Sequence, residues 1–398
     1  MNFVDRPLEH VTRFLAGRVL AGLVTLVIFV TILFFMAEIL IPGDFVTQFT
    51  LGMNSEQLAE LRAQLGIDRP LLERYFEYMA GLARGDLGES AGGGSVAAAL
   101  LAFLPWTLLI FVYAIGIAFP VGHWLGKVAG WRSGAKGSAG LTVGSVGLYT
   151  IFPPLLVFLL VIAVSGLTDN RGISFLRTLF RDNRLNQATA WSMLLTMAVL
   201  AVLVGVAGLV ATRRGGTIPR WVWVPILVVG PFLIWGARGM LGAVYDILLY
   251  LALPITAVAI LAVGEVVLVS KSTTAEAAHE DFVLTARAKG VPDRQIRDHH
   301  VGRFALLPTL SKLMVSVPFI LVGLMIVEMS FAWPKDGAFG MFIPGLSSVL
   351  FTSLENRDTP TVIGGLLAVG VVVFLARLLL DVVQAALDPR IRVGSRAQ

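Results

Sequence analysis

Apolar residues in this chain come in long unbroken blocks separated by shorter charged stretches. Residues 19–37 hold no charge and lie between Arg18 and Glu38. A helix needs about 20 mostly apolar residues to cross a bilayer, so this block predicts a membrane span. Arg6, Arg13 and Arg18 precede it, as in a secretory leader. The apolar run is too long for a leader and no small-x-small cleavage site follows, so the span is expected to be retained. Similar blocks cover 100–122, 141–165, 191–211, 221–236, 247–270, 306–332 and 361–380. Pro153-Pro154 predicts a kink in the third. The fifth is short and holds Pro225 and Pro231.

The charged stretches give the orientation. Short loops rich in Lys and Arg stay on the cytoplasmic side. With the N-terminus inside, the inner loops are Lys127/Arg132/Lys136, Arg213-Arg214, residues 271–303 and the tail with Arg390, Arg392 and Arg396. An even number of spans puts both termini in the cytoplasm. The outlier is 168–186, which carries Arg171, Arg177, Arg181 and Arg184 yet falls outside. Either the rule is broken there, or the fourth and fifth blocks are not both crossings; eight and six spans stay open. Residues 42–94 form a polar stretch with an amphipathic middle at 56–78, and Gly92-Gly93-Gly94 looks like a flexible return to the membrane.

Composition agrees with a lipid environment. The chain is 56% hydrophobic and 14% charged, against roughly 25% charged in soluble domains, and its mean hydropathy is +0.81. These values exclude a soluble fold and disorder alike. A net charge of +5 is accounted for by basic inner loops and does not call for nucleic acid. Absence of cysteine excludes disulfides, thiolate metal sites and a Cys nucleophile. The two halves show no internal symmetry, which speaks against a two-fold-repeat secondary transporter.

Catalytic signatures are missing too. There is no GxxxxGK[ST] loop, and His279-Glu280-Asp281 has no second His to complete HExxH. Of the five histidines, His123 sits at a span end and His10, His279, His299 and His300 lie outside the spans. No catalytic residue, metal site or cofactor site is expected. Glu265, Glu328 and Arg377 fall near span ends, where interface anchoring or interhelical pairing is favoured over a substrate or proton site. No relay of buried carboxylates suggests a proton-coupled pump.

The most charged stretch is 271–303, with Lys271, Arg287, Lys289, Arg294, Arg297 and Arg303 among interleaved acids. Residues 275–289 predict one helix, ended by Gly290 as its cap and by Pro292. Asp293 can cap a second helix running to about Arg303. Two short helices meeting at Gly290 make an elbow. On residues alone, a docking surface and a solvated hairpin are equally open.

This elbow resembles a known one. Asp281-Phe-Val-Leu-Thr-Ala-Arg-Ala-Lys-Gly290, then His300-Val-Gly-Arg-Phe-Ala-Leu-Leu-Pro308, is similar to the EAA loop of ABC-importer permeases. Within these it resembles the dipeptide/oligopeptide/nickel branch, departing at Gly302 and Phe304. Further matches are Pro42-Gly43-Asp44, the run Leu65-Gly66-Ile67-Asp68-Arg69-Pro70, and Gly85-Asp86-Leu87-Gly88-Glu89-Ser90. Glu328-Met-Ser-Phe-Ala-Trp333-Pro334 and Asp388-Pro-Arg-Ile-Arg392 complete the set. The resemblance covers about 5–165 and 245–392.

It implies an all-α polytopic fold of the type I ABC importer permease, with six core helices and two extra ones. The chain would divide into 1–41 with the first span, an extracytoplasmic segment 42–99, and spans two and three at 100–165. An inserted helical hairpin at 166–246 and a permease core at 247–392 follow, the core holding a coupling loop at 271–305. The resemblance assigns ATPase coupling to Glu280, Asp281, Thr285, Ala286, Arg287, Ala288, Lys289, Gly290, His300 and Arg303. Arg287 and Lys289 would meet acids on the ATPase, and Glu280 and Asp281 would lie past the first helical turn, where the dipole adds little. Extracytoplasmic family motifs fall at Pro42, Gly43, Asp44, Gly85, Asp86, Leu87, Gly88, Glu328, Trp333 and Pro334. Implied partners are a second, homologous permease, two ABC ATPase subunits that carry ATP and Mg, a substrate-binding protein and a peptide cargo, all at the cytoplasmic membrane. Nickel complexes, glutathione and oligosaccharides are also cargoes of the branch. The rival class is an ion-coupled secondary transporter or channel acting without an ATPase.

Overall fold

The computed structural model describes residues 6–41, 43–50, 52–181, 185–213, 220–332 and 342–387. Among them every regular element is helical, apart from one isolated bridge between Glu89 and Ser95. In order these are α1 (Arg6–Leu40), a 3-10 turn (Phe45–Phe49), α2 (Ser55–Gln64), α3 (Leu71–Leu82), α4 (Val96–Trp131), α5 (Lys136–Thr150) and α6 (Pro153–Leu167). Next come α7 (Arg171–Arg181), α8 (Gln187–Arg213), α9 (Arg220–Val228), α10 (Gly230–Ala237) and α11 (Leu241–Tyr250). The chain continues with α12 (Ala252–Ala277), α13 (Asp281–Ala288), α14 (Asp293–Gln295) and a π-helical turn (Ile296–Val301). It closes with α15 (Gly302–Ala332), α16 (Leu346–Glu355) and α17 (Thr359–Leu387).

Six helices among the described residues are long and apolar enough to cross a membrane: α1, α4, α8, α12, α15 and α17. Two of the eight expected spans differ. The third is α5 and α6, bent by 105°. A residue before proline avoids the helical region; Phe152 is extended, and Pro153 starts the new helix at a position that needs no N–H. The proline pair therefore ends one helix and begins another instead of kinking one. The fifth expected span is α9 and α10, broken at Val229 before Gly230-Pro231, and neither is long enough to cross. Counting the bent pair as one span gives seven. By contrast Pro105 and Pro120 in α4, and Pro308 and Pro318 in α15, sit inside unbroken helices, as membrane helices allow.

The chain divides into two units. The first comprises Met1–Leu104 and Pro344–Leu379. Its α1 interlocks with α17: Gly22 faces the Phe374 ring and Gly370 faces Phe29, each too close for a side chain. The amphipathic middle of the polar segment is two helices, α2 and α3, separated by Gly66 at φ +67° and Pro70. On α3, Arg74 forks onto Glu38 of α1 at 2.8 and 2.6 Å, both largely buried, a strong bidentate geometry. Tyr75 shares a hydrogen bond with Thr31 and packs in a ring cluster with Phe34 and Phe35. Burial pushes the neighbouring Tyr78 phenol up to about 12.

The second unit is Pro105–Ile343 with Leu380–Gln398. In it α12 packs against α5, α6 and α15. Against α4 it approaches at backbone distance. A Cβ on Gly122 would lie 2.7 Å from Val266, one on Gly126 2.6 Å from the Val267 carbonyl, and one on Gly130 2.5 Å from the Lys271 carbonyl. Gly264 of α12 similarly meets the Ser145 carbonyl of α5 at 2.7 Å. Small residues are how membrane helices come close enough to gain dispersion energy. Within residues 166–246, α8 packs on α9 and α10; α7 buries Ile173, Leu176 and Leu179 and packs on α6 and α11.

The α4–α12 contact is open to test. Gly126→Leu should lower the melting temperature of the purified chain by the equivalent of about 1–3 kcal/mol of overpacking. Gly116→Leu, on the same helix but with open space around its Cβ, should leave it unchanged. Equal melting of the two variants would contradict this packing.

Candidate coupling site

The elbow begins where α12 stops. The expected single helix over 275–289 is broken: α12 ends at Ala277, Glu280 is extended, and α13 restarts at Asp281. Glu280 is therefore the N-cap and Asp281 lies in the first turn, where the helix dipole does favour an acid. At the other end, Gly290 N–H donates to the Arg287 carbonyl at 2.9 Å and Val291 N–H to the Ala286 carbonyl at 3.1 Å. That pair is a Schellman motif, which requires a left-handed residue at its turn; Gly290 has φ +75°. A Cβ there would meet nothing, so the demand for glycine is conformational and not steric. The expected second helix is α14 and the π-helical turn, which run without a gap into α15.

A small core stiffens this corner. Val283 of α13 is buried with Ala277 of α12 and with Ile296 and Val301 of the π turn; Trp131, Ala286 and Val291 pack around them. Ion pairs fasten the corner to the end of α4. Asp298 accepts a bidentate bond from Arg297 at 3.0 and 2.9 Å and pairs with Lys127 of α4 at 3.0 Å. The apolar run of α15 starts beyond Arg303, so these groups belong to the elbow. Arg297 first, and Lys127 with it, hold the Asp298 carboxyl well below the usual carboxylate range. A carboxyl depressed in the folded state contributes stability at neutral pH that is lost as pH falls through and below that range. Arg287 donates to Asp293 at 3.0 Å and stacks 5.3 Å above the Trp131 ring. The elbow is thus held to three long helices: it continues α12 and α15 and is clamped to α4.

Most expected coupling residues do gather here. Glu280, Asp281, Thr285, Ala288, Lys289 and Gly290 are exposed along α13, with His300 and Arg303 exposed on the second arm, while Ala286 is half buried in the small core. Thr285 spends its hydroxyl on the Asp281 carbonyl. Arg287 is engaged within the chain by Asp293 and Trp131, with its side chain still half exposed. The sequence reading missed the exposed apolar residues Leu284, Phe282 and Phe304, the two rings 6.1 Å apart. Helical period gave the signal: Val283 and Ala286 point into the core, so Leu284 cannot.

The second group of expected residues serves other ends. Gly43, Gly85 and Gly88 have φ of +81°, +80° and +82° and make turns. Asp44 caps the 3-10 turn through Thr47 and accepts from Arg62 at 2.7 Å. Asp86 accepts from Gly88 N–H at 2.9 Å, and Leu87 is half buried beside it. Pro42, Trp333 and Pro334 lie outside the described residues. Glu328 does not reach for an interface: it is fully buried on α15 and accepts from Thr107 of α4 at 2.6 Å, so the interhelical-pairing reading holds for it. Among the described residues no group of three His, Asp or Glu side chains could hold a metal.

Long apolar helices closely packed, with a charged elbow between two of them, define a polytopic membrane protein. Residues 220–393 match the family described as binding-protein-dependent transport system inner membrane component, and residues 11–101 match its N-terminal part. Together the matches span about two thirds of the chain, and the chain belongs to this family, the multi-pass membrane permeases of ABC importers. Residues 102–219, with α7 and α8, lie outside both matches. The dipeptide transport system permease protein DppB of Escherichia coli (strain K12) is 27% identical over 372 residues, covering 91% of this chain and 94% of its own length. The oligopeptide transport system permease protein OppB of Salmonella typhimurium (strain LT2) is 27% identical over 384 residues, covering 96% and 99%. The probable D,D-dipeptide transport system permease protein DdpB of Escherichia coli (strain K12) is 28% identical over 377 residues, covering 94% and 96%.

The Schellman turn predicts how the elbow answers to substitution. Gly290→Val forces a β-branched residue into the left-handed region, at roughly 1–2 kcal/mol or more. Limited trypsin digestion within 271–303 should accelerate several-fold. Gly290→Asn, a residue that tolerates this region, should digest at nearly the wild-type rate. Indistinguishable digestion of Val and Asn variants would contradict the assignment.

Proposed function

We propose that this chain pairs with a second, related permease to form the path for di- and oligopeptides, and that its elbow takes the stroke of separate ATPase subunits. One observation carries the reading: a short helix that is solvent-facing on one side and locked to α4, α12 and α15 on the other. A force on α13 therefore reaches three membrane helices without being absorbed by a hinge. The partner-facing surface consists of Leu284, Phe282, Phe304 and Lys289, with Glu280 and Asp281 at the helix start. An apolar centre ringed by charge is the usual composition of an interface hot spot.

ATP and Mg belong to the ATPase subunits, and this chain contributes no cofactor. Closure of the ATPase pair displaces α13, and α4, α12 and α15 rock with it as one body between inward-open and outward-open states. A binding protein outside delivers the cargo to the polar segment 42–90 and the segment 333–360, which includes α16. The peptide assignment rests on the names of the relatives, whose cargoes are dipeptides and oligopeptides.

The double variant Leu284→Asp with Lys289→Glu tests docking while sparing Arg287, which is structural. In a mild-detergent pull-down from native membranes, ATPase recovery should fall about tenfold, roughly 1.4 kcal/mol of affinity. The level and melting of the chain itself should not change. Undiminished recovery of the ATPase, or peptide uptake that ignores ATP and follows an ion gradient, would overturn the proposal.

A further inference from the structure

Lys312 stands in the first half of α15, nine residues past Arg303 and sixteen before Glu328. Its side chain is half exposed. It lies on one stripe with Pro308, Val315, Phe319 and Val322, all exposed. Hydrocarbon does not accept an ammonium there; charges within spans face water or another polar group. An ammonium on this face therefore calls for water or a polar partner beside it, which an aqueous cavity would supply. Behind Lys312, on α12, Glu265 comes within 3.7 Å of the ammonium and is only 16% exposed. The Ser316 hydroxyl donates to that same Glu265 oxygen, fixing the carboxylate in place. Among the described residues Glu265 is the acid that Lys312 meets.

This arrangement suits a contact that must form and release. At rest the cluster is neutral, so it tolerates a low dielectric. The 3.7 Å pair is loose, longer than the 2.7–2.9 Å of a tight charged hydrogen bond, and an ammonium has three donors to offer. An incoming carboxylate can bind Lys312 from the exposed side and later lose it again to Glu265. A conduit needs binding strong enough to admit cargo and weak enough to let it go. We propose that Lys312, positioned by Glu265 and Ser316, is a transit site for the free α-carboxylate of a peptide on the path. This rests on the peptide-importer reading above. The acid already present in the chain makes a peptide carboxylate a better occupant than a fixed acid on the second permease, which would trap the cation permanently.

The test uses the complete transporter with its binding protein in proteoliposomes, and compares uptake of trialanine with that of trialanine amide. Lys312→Met should slow trialanine about tenfold and leave the amide rate unchanged, with ATPase stimulation by the loaded binding protein intact. Lys312→Arg should restore the acid. Glu265→Gln removes the competing acid, so it should lower both the half-saturating trialanine concentration and the maximal rate. Trialanine uptake at the wild-type rate in Lys312→Met would overturn the inference while leaving the importer reading standing. Loss of both cargoes together with loss of the second permease from the purified complex would overturn it in favour of a subunit contact. Absence of ATP-dependent trialanine uptake by the wild type would overturn the importer reading itself, and the transit site with it.

Discussion

Lipid tails are as apolar as leucine, so membrane helices gain little by hiding apolar surface from one another; they are held by close packing and by the few polar bonds they share. In the second unit that requirement falls on Gly122, Gly126 and Gly130, whose missing side chains bring α4 against the carbonyls of α12. Everything built on that contact inherits its stiffness. Lys127 can reach Asp298, and Trp131 can lie under Arg287, because α4 ends where α12 turns into the elbow. Further along, the buried bond from Thr107 to Glu328 ties α4 to α15. Leaving Glu328 unpaired in that interior would cost more than the bond contributes, so the bond also specifies how the two helices meet.

Such an assembly is suited to transmitting displacement. Among the charged groups that remain accessible, two places fit the proposed partners. One is the outer surface of α13, which suits a protein partner. The other is the Lys312 face of α15, which suits a small charged cargo. The separation follows from the bilayer. Backbone and charge inside it must be satisfied internally or by a water-filled cavity, so an accessible charge within a span and an accessible charge at an elbow serve different partners.

Much of this was legible in the sequence. Apolar blocks of sufficient length, with at most two charges each, located α1, α4, α8, α12, α15 and α17, because lipid favours the helix along such a block. Gly290 was legible as a cap, because few residues fit the left-handed turn. What escaped was whatever depends on distant residues. The break at Ala278–Glu280 follows no strong local breaker, and it forms because Val283 must point into a core completed by Ile296 and Val301. That Arg287 lies over Trp131 and beside Asp293 was not legible either. Glu265 and Lys312 stand forty-seven positions apart in sequence, and only the packing of α12 on α15 joins them. The 105° bend between α5 and α6 lay between the two: Pro153-Pro154 announced a disturbance, but its size is set by what the two helices pack against.

In the proposed mechanism the elbow and α4 move as one body. The chain has no cysteine, so spin labels at Leu284→Cys on α13 and Trp124→Cys on α4 give an unambiguous pair. Electron–electron resonance on the assembled transporter, free of nucleotide and trapped with ATP, measures their separation in both states. Superimposable distance distributions are the expected result. A shift between the two states approaching one helical turn, about 5 Å, would show that the elbow swings on a hinge and would contradict the account.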